Sequence, residues 1–299
     1  MGYVKLRFSP HSRFSGLFTA DQLWGQMVWA LSDLKGEDEA NAFVEAFKST
    51  PPFLISAMFP DGYLPVPFLP YAGESTEEEW EIENHNKKCR WLLWGDFSRV
   101  QQKTGSFFSQ KFPVNDLLHL VTEIHVSINR GSLTAMDGGL YNQQFVSCEN
   151  PLCVYIRFLD EDTKWPELID LIISYWEKVG LGGDKNVGKG QFAIGEVPLT
   201  KEEDDIFSFP DGNCFMTLSK TFGHDLVPLF YQMEAYEGVV GKGFPNGASY
   251  YRKKPIIQFL PGSLFKEGTG SLATEMSIEP RVCTYGYAMP VSINFEDKK

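Results

Sequence analysis

The segment best suited to chemistry is a glycine- and lysine-rich loop at residues 180–190, with the sequence Gly-Leu-Gly-Gly-Asp-Lys-Asn-Val-Gly-Lys-Gly. Glycine has no Cβ, so it reaches positive φ and lets another backbone approach closely. Successive amides of such a backbone form anion-binding concavities, and Lys185 and Lys189 add positive charge at the same place. The composition therefore predicts a phosphate-binding loop; the alternative on composition alone is a flexible surface loop.

Residues 183–189 match the first part of a Walker A sequence, G-x-x-x-x-G-K, but Gly190 occupies the position at which Ser or Thr would bind magnesium. A P-loop also runs from a strand into a helix. Here a predicted helix at 165–176 precedes the loop and a predicted strand at 192–197 follows it. The reversed order argues against nucleotide binding and favours a loop that lies along a polynucleotide backbone.

Candidate residues for acid–base chemistry are few. Metal-free RNA cleavage needs a base, an acid and a cation for the phosphorane charge, and His11, Lys5, Lys189 and Tyr250 are the candidates for these roles. Nothing in their spacing brings them together, so a metal-independent endoribonuclease is kept only as the alternative function. The five histidines show no metal-ligand spacing and the five cysteines include no C-x-x-C pair. The sequence therefore predicts no catalytic residue, no metal site and no cofactor.

A second segment, at residues 250–254, places two tyrosines beside Arg252 and two lysines. Such a segment suits single-stranded RNA, because bases stack on aromatic rings while the cations neutralise phosphates. A strand edge with solvated lysines explains it equally well. Trp24 and Trp29 lie about 140° apart around a predicted helix, so they form no common stacking face and are predicted to pack in the core.

The net charge of −12 argues against a general affinity for nucleic acid. The acidic residues are concentrated at 74–83, 160–162 and 202–205, in runs typical of solvated loops. The remainder is near neutral, which fits a confined basic groove for one defined RNA. No apolar run approaches the roughly 20 residues that cross a bilayer. Residues 3–8 predict a strand and not a signal peptide, so a cytoplasmic protein without membrane contact is expected.

The elements that must position these residues alternate as β-α-β-β-α-β over about the first 200 residues. This arrangement is ferredoxin-like and is shared by the RRM, whose sheet and loops commonly bind single-stranded RNA. Strands at 123–130 and 143–148 flank a turn, and an acidic, partly helical insertion spans about 71–115. Further strands after residue 213 predict a second, related half.

Several motifs together resemble the RAMP proteins of CRISPR effector complexes. They are residues 4–8 with Phe14-Ser15-Gly16 before a helix that contains Asp21, the glycine loop followed by Gln191-Phe192, Ile128-Asn129-Arg130 with Gly139-Leu140-Tyr141, and residues 262–265 with 285–288. The third set resembles the projecting thumb hairpin of that family. The ensemble resembles the fourth-subunit family of type III-A (Csm) complexes, which holds the 5′ repeat-derived handle of CRISPR RNA.

The resemblance implies an α+β fold of two ferredoxin-like (RRM-like) halves, residues 1–200 and 201–299, with a thumb hairpin at about 126–147 and the inserted acidic helical segment. It implies a non-catalytic subunit that binds CRISPR RNA, contacts the large polymerase-like subunit and the repeated RAMP backbone subunit, and meets target RNA only indirectly. The residues expected to contact RNA are His11, Arg13, Ser15, Arg130, Tyr141, Gly182, Gly183, Lys185, Gly188, Lys189, Gly190, Tyr250 and Arg252.

Overall fold

The computed structural model describes residues 2–70, 76–162, 164–210, 212–240, 252–277 and 281–296. Up to residue 197 the elements are β1 (Tyr3–Pro10), α1 (Ala20–Lys35), α2 (Glu37–Ala46), β2 (Phe53–Ile55), β3 (Phe59–Pro60), β4 (Tyr63–Pro65), α3 (Glu77–Asn86), β5 (Trp91–Leu93), α4 (Trp94–Gln102), a 3₁₀ helix (Thr104–Phe108), β6 (His119–Asn129), β7 (Thr134–Ser147), β8 (Leu152–Phe158), α5 (Lys164–Val179), a 3₁₀ turn (Lys185–Val187) and β9 (Phe192–Val197).

The N-terminal sheet has the strand order β2–β8–β1–β9, and all neighbours are antiparallel. With the crossover helices α1 and α5, this is the ferredoxin-like arrangement that the sequence predicts. Side chains alternate between the two faces of a strand, so Leu6 and Phe8 of β1 share one face. Both are buried in one core with Trp24 of α1 and Trp176 of α5. The predicted core role is therefore confirmed for Trp24, whereas Trp29 is only partly buried.

The opposite face of this sheet is closed by α6 (Lys201–Phe207). Lys5 Nζ lies 2.7 Å from Asp61 Oδ1 and 2.7 Å from Glu203 Oε1, and the Tyr155 hydroxyl donates to Glu203 Oε1 at 2.6 Å. Burial alone would lower the pKa of Lys5, but the hydrogen bonds to the two carboxylates outweigh it and raise the pKa. The face on which an RRM displays its bases is thus largely covered by protein in this chain.

The C-terminal half contains β10 (Cys214–Thr217), β11 (Val227–Phe230), β12 (Met233–Tyr236), β13 (Ile256–Phe259), β14 (Leu264–Glu267), β15 (Gly270–Ala273), β16 (Thr284–Tyr287) and β17 (Pro290–Ile293). Its main sheet has the order β11–β14–β10–β17. When the four strands of each sheet are counted along the chain, both sheets have the order second, third, first, fourth. The described residues between 214 and 296 contain no α-helix. The hairpin β15–β16 lies where the second crossover helix would be, and β16 packs against α1.

A long hairpin, β6–β7, projects from the N-terminal half between β2 and β8. It is longer than the predicted 126–147, because pairing extends from His119↔Ser147 to Asn129↔Thr134. The hairpin β12–β13 occupies the same place between the second and third strands of the other half. The inserted acidic segment is partly helical, as predicted, through α3 and α4.

Candidate nucleic-acid interface

The glycine loop is closed at its base and attached to the segment that follows β1. The Leu181 amide donates to the Gly190 carbonyl at 2.8 Å, and the Gly190 amide donates to the Arg13 carbonyl at 2.9 Å. At the start of that segment, directly after β1, the His11 amide donates to the Gln191 carbonyl at 2.8 Å. Residues 11–15 and 180–190 therefore form one continuous surface.

The glycines of this loop serve two different purposes. Gly190 has φ +65°, and a Cβ there would lie 1.9 Å from the Leu181 carbonyl oxygen. Gly182 has φ +83°, and a Cβ there would lie 2.9 Å from the Phe18 ring and 3.1 Å from Ser15 Oγ. These two glycines are required by the fold of the loop itself. Gly183 and Gly188 have open space where a Cβ would be, so there the loop offers bare backbone to an outside group. Gly188 also has φ +82°, so its backbone favours glycine as well, whereas Gly183 lies outside the left-handed region.

Lys189 and Arg13 converge on one carboxylate of the hairpin. Lys189 Nζ lies 2.5 Å and Arg13 Nη1 2.6 Å from Oε1 of Glu123, and Lys189 Nζ also lies 4.5 Å from the centroid of the Phe145 ring. The hydrogen bonds from Lys189 and then Arg13 lower the pKa of Glu123 to about 2. The predicted cations are brought together, but each is held by protein and not presented as a free charge.

Lys185 is different. Within the described part of the chain its ammonium group makes no hydrogen bond and no ion pair, and its neighbour Asp184 has φ +56°. Gly183, two residues before Lys185, is exposed, as are His11 and Ser15 in the segment to which the loop is attached. An unpaired cation beside open glycine backbone is the arrangement that would accept a phosphate.

The hairpin contributes a second group of contacts to the loop. The Gln143 side-chain amide donates to the Asp184 carboxylate, and the amide of Phe14 pairs with the carbonyl of Val146 at 3.1 Å. Tyr141 is stacked on His125, with ring centroids 5.5 Å apart. Arg130 lies exposed in the turn at the far end of the hairpin. The glycine loop and the base of the hairpin therefore form one surface. Arg130 lies at the other end of the hairpin, away from this surface.

One predicted RNA contact, Arg252, is held in the second half and not at this surface. Arg252 lies between β12 and β13, where its Nη1 is 2.7 Å from Glu237 Oε2. Tyr250 lies outside the described residues.

Of the residues weighed for ribonuclease chemistry, the described ones are not all on one surface. Lys5 is 3% exposed and held by two carboxylates on the closed face of the sheet, while His11 and Lys189 lie on the loop surface. Among the described residues no group of His, Cys, Asp and Glu could hold a metal ion.

The sequence interpretation missed Glu123, Asp184, Gln143 and His125. Glu123, His125 and their cross-strand partners Gln143 and Tyr141 occupy alternate positions of two paired strands. This alternation is visible in the sequence of the hairpin, and it predicts that these four side chains share a face. The face that they share, the one turned toward the glycine loop, becomes known only from the structure.

No protein-family model and no curated protein matches the chain. Solved structures do. The chain is similar, at 17% sequence identity and a TM-score of 0.68, to a chain of the Csm3–Csm4 subcomplex in the type III-A CRISPR-Cas interference complex; the match covers 98% of this chain and 100% of the other. It is similar at 16% identity and a TM-score of 0.62 to a chain of the Csm1–Csm4 cassette in complex with pppApA, with 99% of each chain covered. It is similar at 15% identity, with a TM-score of 0.62, to a chain of that cassette in complex with cA4, with 99% and 100% covered.

The subunit common to these structures is Csm4. The chain therefore has the RAMP-like α+β fold that the sequence predicts. No helix among the described residues has the length and apolar character that a membrane span requires.

Proposed function

We propose that this chain is the subunit of a type III-A CRISPR (Csm) effector complex that binds the 5′ repeat-derived handle of CRISPR RNA. The observation that carries the proposal is the structural match over nearly the full length of both chains to the subunit shared by the Csm3–Csm4 and Csm1–Csm4 structures. The glycine loop supports it independently, because Lys185 and open backbone at Gly183 lie together on one surface.

In this proposal residues 1–200 and 201–299 are the two RAMP halves. The handle follows the surface formed by His11, Ser15, Gly182, Gly183, Lys185 and Gly188. Lys189, Gly190 and Arg13 shape that surface, since their charges or backbone are engaged within the protein. Arg130 and Tyr141 on the hairpin extend it, and Arg252 belongs to a separate contact in the second half. Tyr250 is proposed as an RNA contact on its sequence alone.

The proposed partners are the large polymerase-like subunit and the repeated RAMP backbone subunit, with which the similar chains were crystallised. Contact with target RNA is indirect. The chain is proposed to act in the cytoplasm, where its five buried free thiols would persist reduced.

The proposed role is non-catalytic. Metal-independent cleavage needs a base, an acid and a cation around one phosphate. Among the described candidates Lys5 does not converge with His11 and Lys189, because it is enclosed by Asp61 and Glu203 on the opposite side of the sheet from the core helices. No observation favours the endoribonuclease alternative.

The test is retention of RNA by the purified complex that contains the doubly substituted chain Lys185→Ala/Lys189→Ala. Loss of the unpaired Lys185 charge, and of the Lys189 charge that holds the loop on Glu123, is expected to reduce the handle RNA that copurifies by at least about tenfold. Lys185→Ala alone breaks no ion pair within the described part of the chain, so it is expected to account for part of this loss with an unchanged unfolding midpoint. The matched control is Lys35→Ala/Lys201→Ala, which removes two exposed lysines from the end of α1 and the start of α6. Wild-type RNA retention by the loop variant would reject the assigned role.

A further inference from the structure

One face of the β6–β7 hairpin carries two successive rows of polar and aromatic side chains. Strand pairing places Glu123 opposite Gln143 and His125 opposite Tyr141. Residues two apart on a strand share a face, and successive rows lie about 7 Å from each other along the strand. The two rows are therefore neighbours on the same face of the hairpin.

The first row is occupied by the glycine loop. Glu123 accepts from Lys189 and Arg13, and Gln143 donates to Asp184. Both cations use the same carboxylate oxygen, Oε1, of Glu123. These contacts fix the loop over the base of the hairpin, and they end at this row.

The second row lies just beyond the loop and is not filled by it. The rings of His125 and Tyr141 are 5.5 Å apart and inclined by 25°, which is a stacked pair. Tyr141 is 49% exposed, and His125 Nε2 makes no hydrogen bond although it lies 3.5 Å from Glu123 Oε2. A half-exposed aromatic surface thus stands beside a loop that carries an unpaired lysine.

We propose that the His125–Tyr141 pair is a stacking platform for one RNA base, namely the base of a nucleotide whose phosphate lies on the glycine loop. This inference rests on the proposed function and deepens it, because it adds His125 to the site and states how Tyr141 contacts RNA. Every nucleobase has a π face, so stacking on such a pair tolerates any base. Glu123 is a positioning residue in this arrangement, since it holds Lys189 on one side and borders His125 on the other.

The competing explanation is that the two rings only stabilise the hairpin as a cross-strand aromatic pair. The two explanations predict different effects on RNA affinity when one base is removed from the RNA. A platform loses its partner when the stacked base is removed from the RNA. A purely structural pair does not respond to that change.

The experiment measures binding of the full chain, in complex with its partner subunits, to RNA 16-mers that begin with the repeat-derived handle of the host CRISPR array. Each RNA carries a single abasic site at a different position. With the wild-type chain, one abasic position is expected to weaken binding by about 5- to 150-fold, the range for one stacked base. Tyr141→Ala and His125→Ala are expected to bind intact RNA more weakly and to make that position insensitive to base removal within about twofold. Tyr141→Phe keeps the ring and is expected to retain the sensitivity.

Two results overturn the inference. If the sensitive position keeps its full penalty in Tyr141→Ala, or if no position is sensitive in the wild type, the rings are not a platform, while the proposed function stands as long as the intact RNA binds. If the wild-type complex binds no handle RNA at all, the proposed function fails and the platform fails with it. Far-UV circular dichroism of each variant confirms that the hairpin substitutions leave the fold intact.

Discussion

Replacing Gly183 by alanine separates the RNA-facing role of the glycine loop from its folding. A Cβ at this residue would have no protein atom within 4 Å, and φ lies outside the left-handed range. The substitution is therefore expected to leave the free energy of unfolding unchanged or to raise it by about 0.4–1 kcal/mol, because alanine restricts the unfolded chain. A phosphate held at this backbone would be displaced by the new methyl group. Loss of one hydrogen bond to a charged group amounts to about 1.5–3 kcal/mol, which is roughly 10- to 150-fold in RNA affinity.

Gly190→Ala is the matched substitution with the opposite expectation. Its Cβ would lie 1.9 Å from the Leu181 carbonyl oxygen, and Leu181 cannot move away freely because its amide is bonded to the Gly190 carbonyl at 2.8 Å. The left-handed φ of +65° adds about 1–2 kcal/mol for any residue with a Cβ. A loss of at least about 2 kcal/mol in stability is expected.

Urea unfolding of both variants, together with fluorescence anisotropy of labelled handle RNA, measures the two effects separately. The reasoning fails if Gly183→Ala binds RNA as tightly as the wild type. It also fails if Gly190→Ala unfolds at the wild-type urea concentration, because the distances around the loop would then be wrong.

Three further predictions concern the groups that the structure buries or pairs. Lys5→Met removes the buried cation between Asp61 and Glu203, which keep only Arg7 and the Tyr155 hydroxyl opposite them, and is expected to lower stability by about 3–5 kcal/mol in urea unfolding. Arg99→Met breaks an exposed ion pair and is expected to stay within about 0.5 kcal/mol; equal effects would contradict the assigned burial. Because the pKa of Glu123 is lowered to about 2, its contribution to loop docking is complete above its ordinary pKa of 4.5 and is lost as the pH falls through about 2. Hydrogen exchange of residues 181–190, corrected for intrinsic rates, should therefore rise between about pH 5 and pH 2.5. Glu123→Gln should remove this pH dependence. All five thiols are buried, and burial raises the pKa of Cys153 to about 12, so a disulfide reagent is expected to titrate them only after unfolding; rapid reaction of the native chain would refute this.

Local patterns in the sequence were sufficient for the N-terminal sheet and for the position of the glycine loop. The apolar patterns at residues 3–8 and 153–158 predict β1 and β8. The structure also confirms the predicted order of a helix, the glycine loop and a strand around residues 180–190. These features depend on residues close together in the chain. The fold class followed from them and from the family resemblance, and the structure confirms it.

The electrostatics of the loop could not be predicted in the same way. Glu123 pairs with Arg13 across 110 residues of sequence and with Lys189 across 66. Nothing local to Lys189 distinguishes it from Lys185, yet one is held in an ion pair and the other is unpaired within the described part of the chain. The length of the hairpin was also underestimated, because residues 119–122 lack the turn and glycine signals that marked its far end.

In the second half, strand prediction alone does not determine how the strands are connected. The main sheet of this half has the ferredoxin-like strand order, but its third strand, β14, was not among the predicted strands. The connections between its strands are hairpins and turns in the described residues, where the N-terminal half has α1 and α5. Packing explains the difference, because β16 already lies against α1 and its Tyr285 hydroxyl accepts from the Ile55 amide at 3.1 Å. The N-terminal half thus supplies apolar cover that a second pair of helices would otherwise provide.

The most direct measurement is ultraviolet cross-linking of the native assembly, purified from its host, followed by mass spectrometry of the peptide–RNA adducts and sequencing of the RNA from its 5′ end. Peptides that contain residues 180–190 should carry nucleotides of a repeat-derived 5′ terminus. Adducts confined to other surfaces of the chain, or a bound RNA without that terminus, would contradict the role given to the glycine loop.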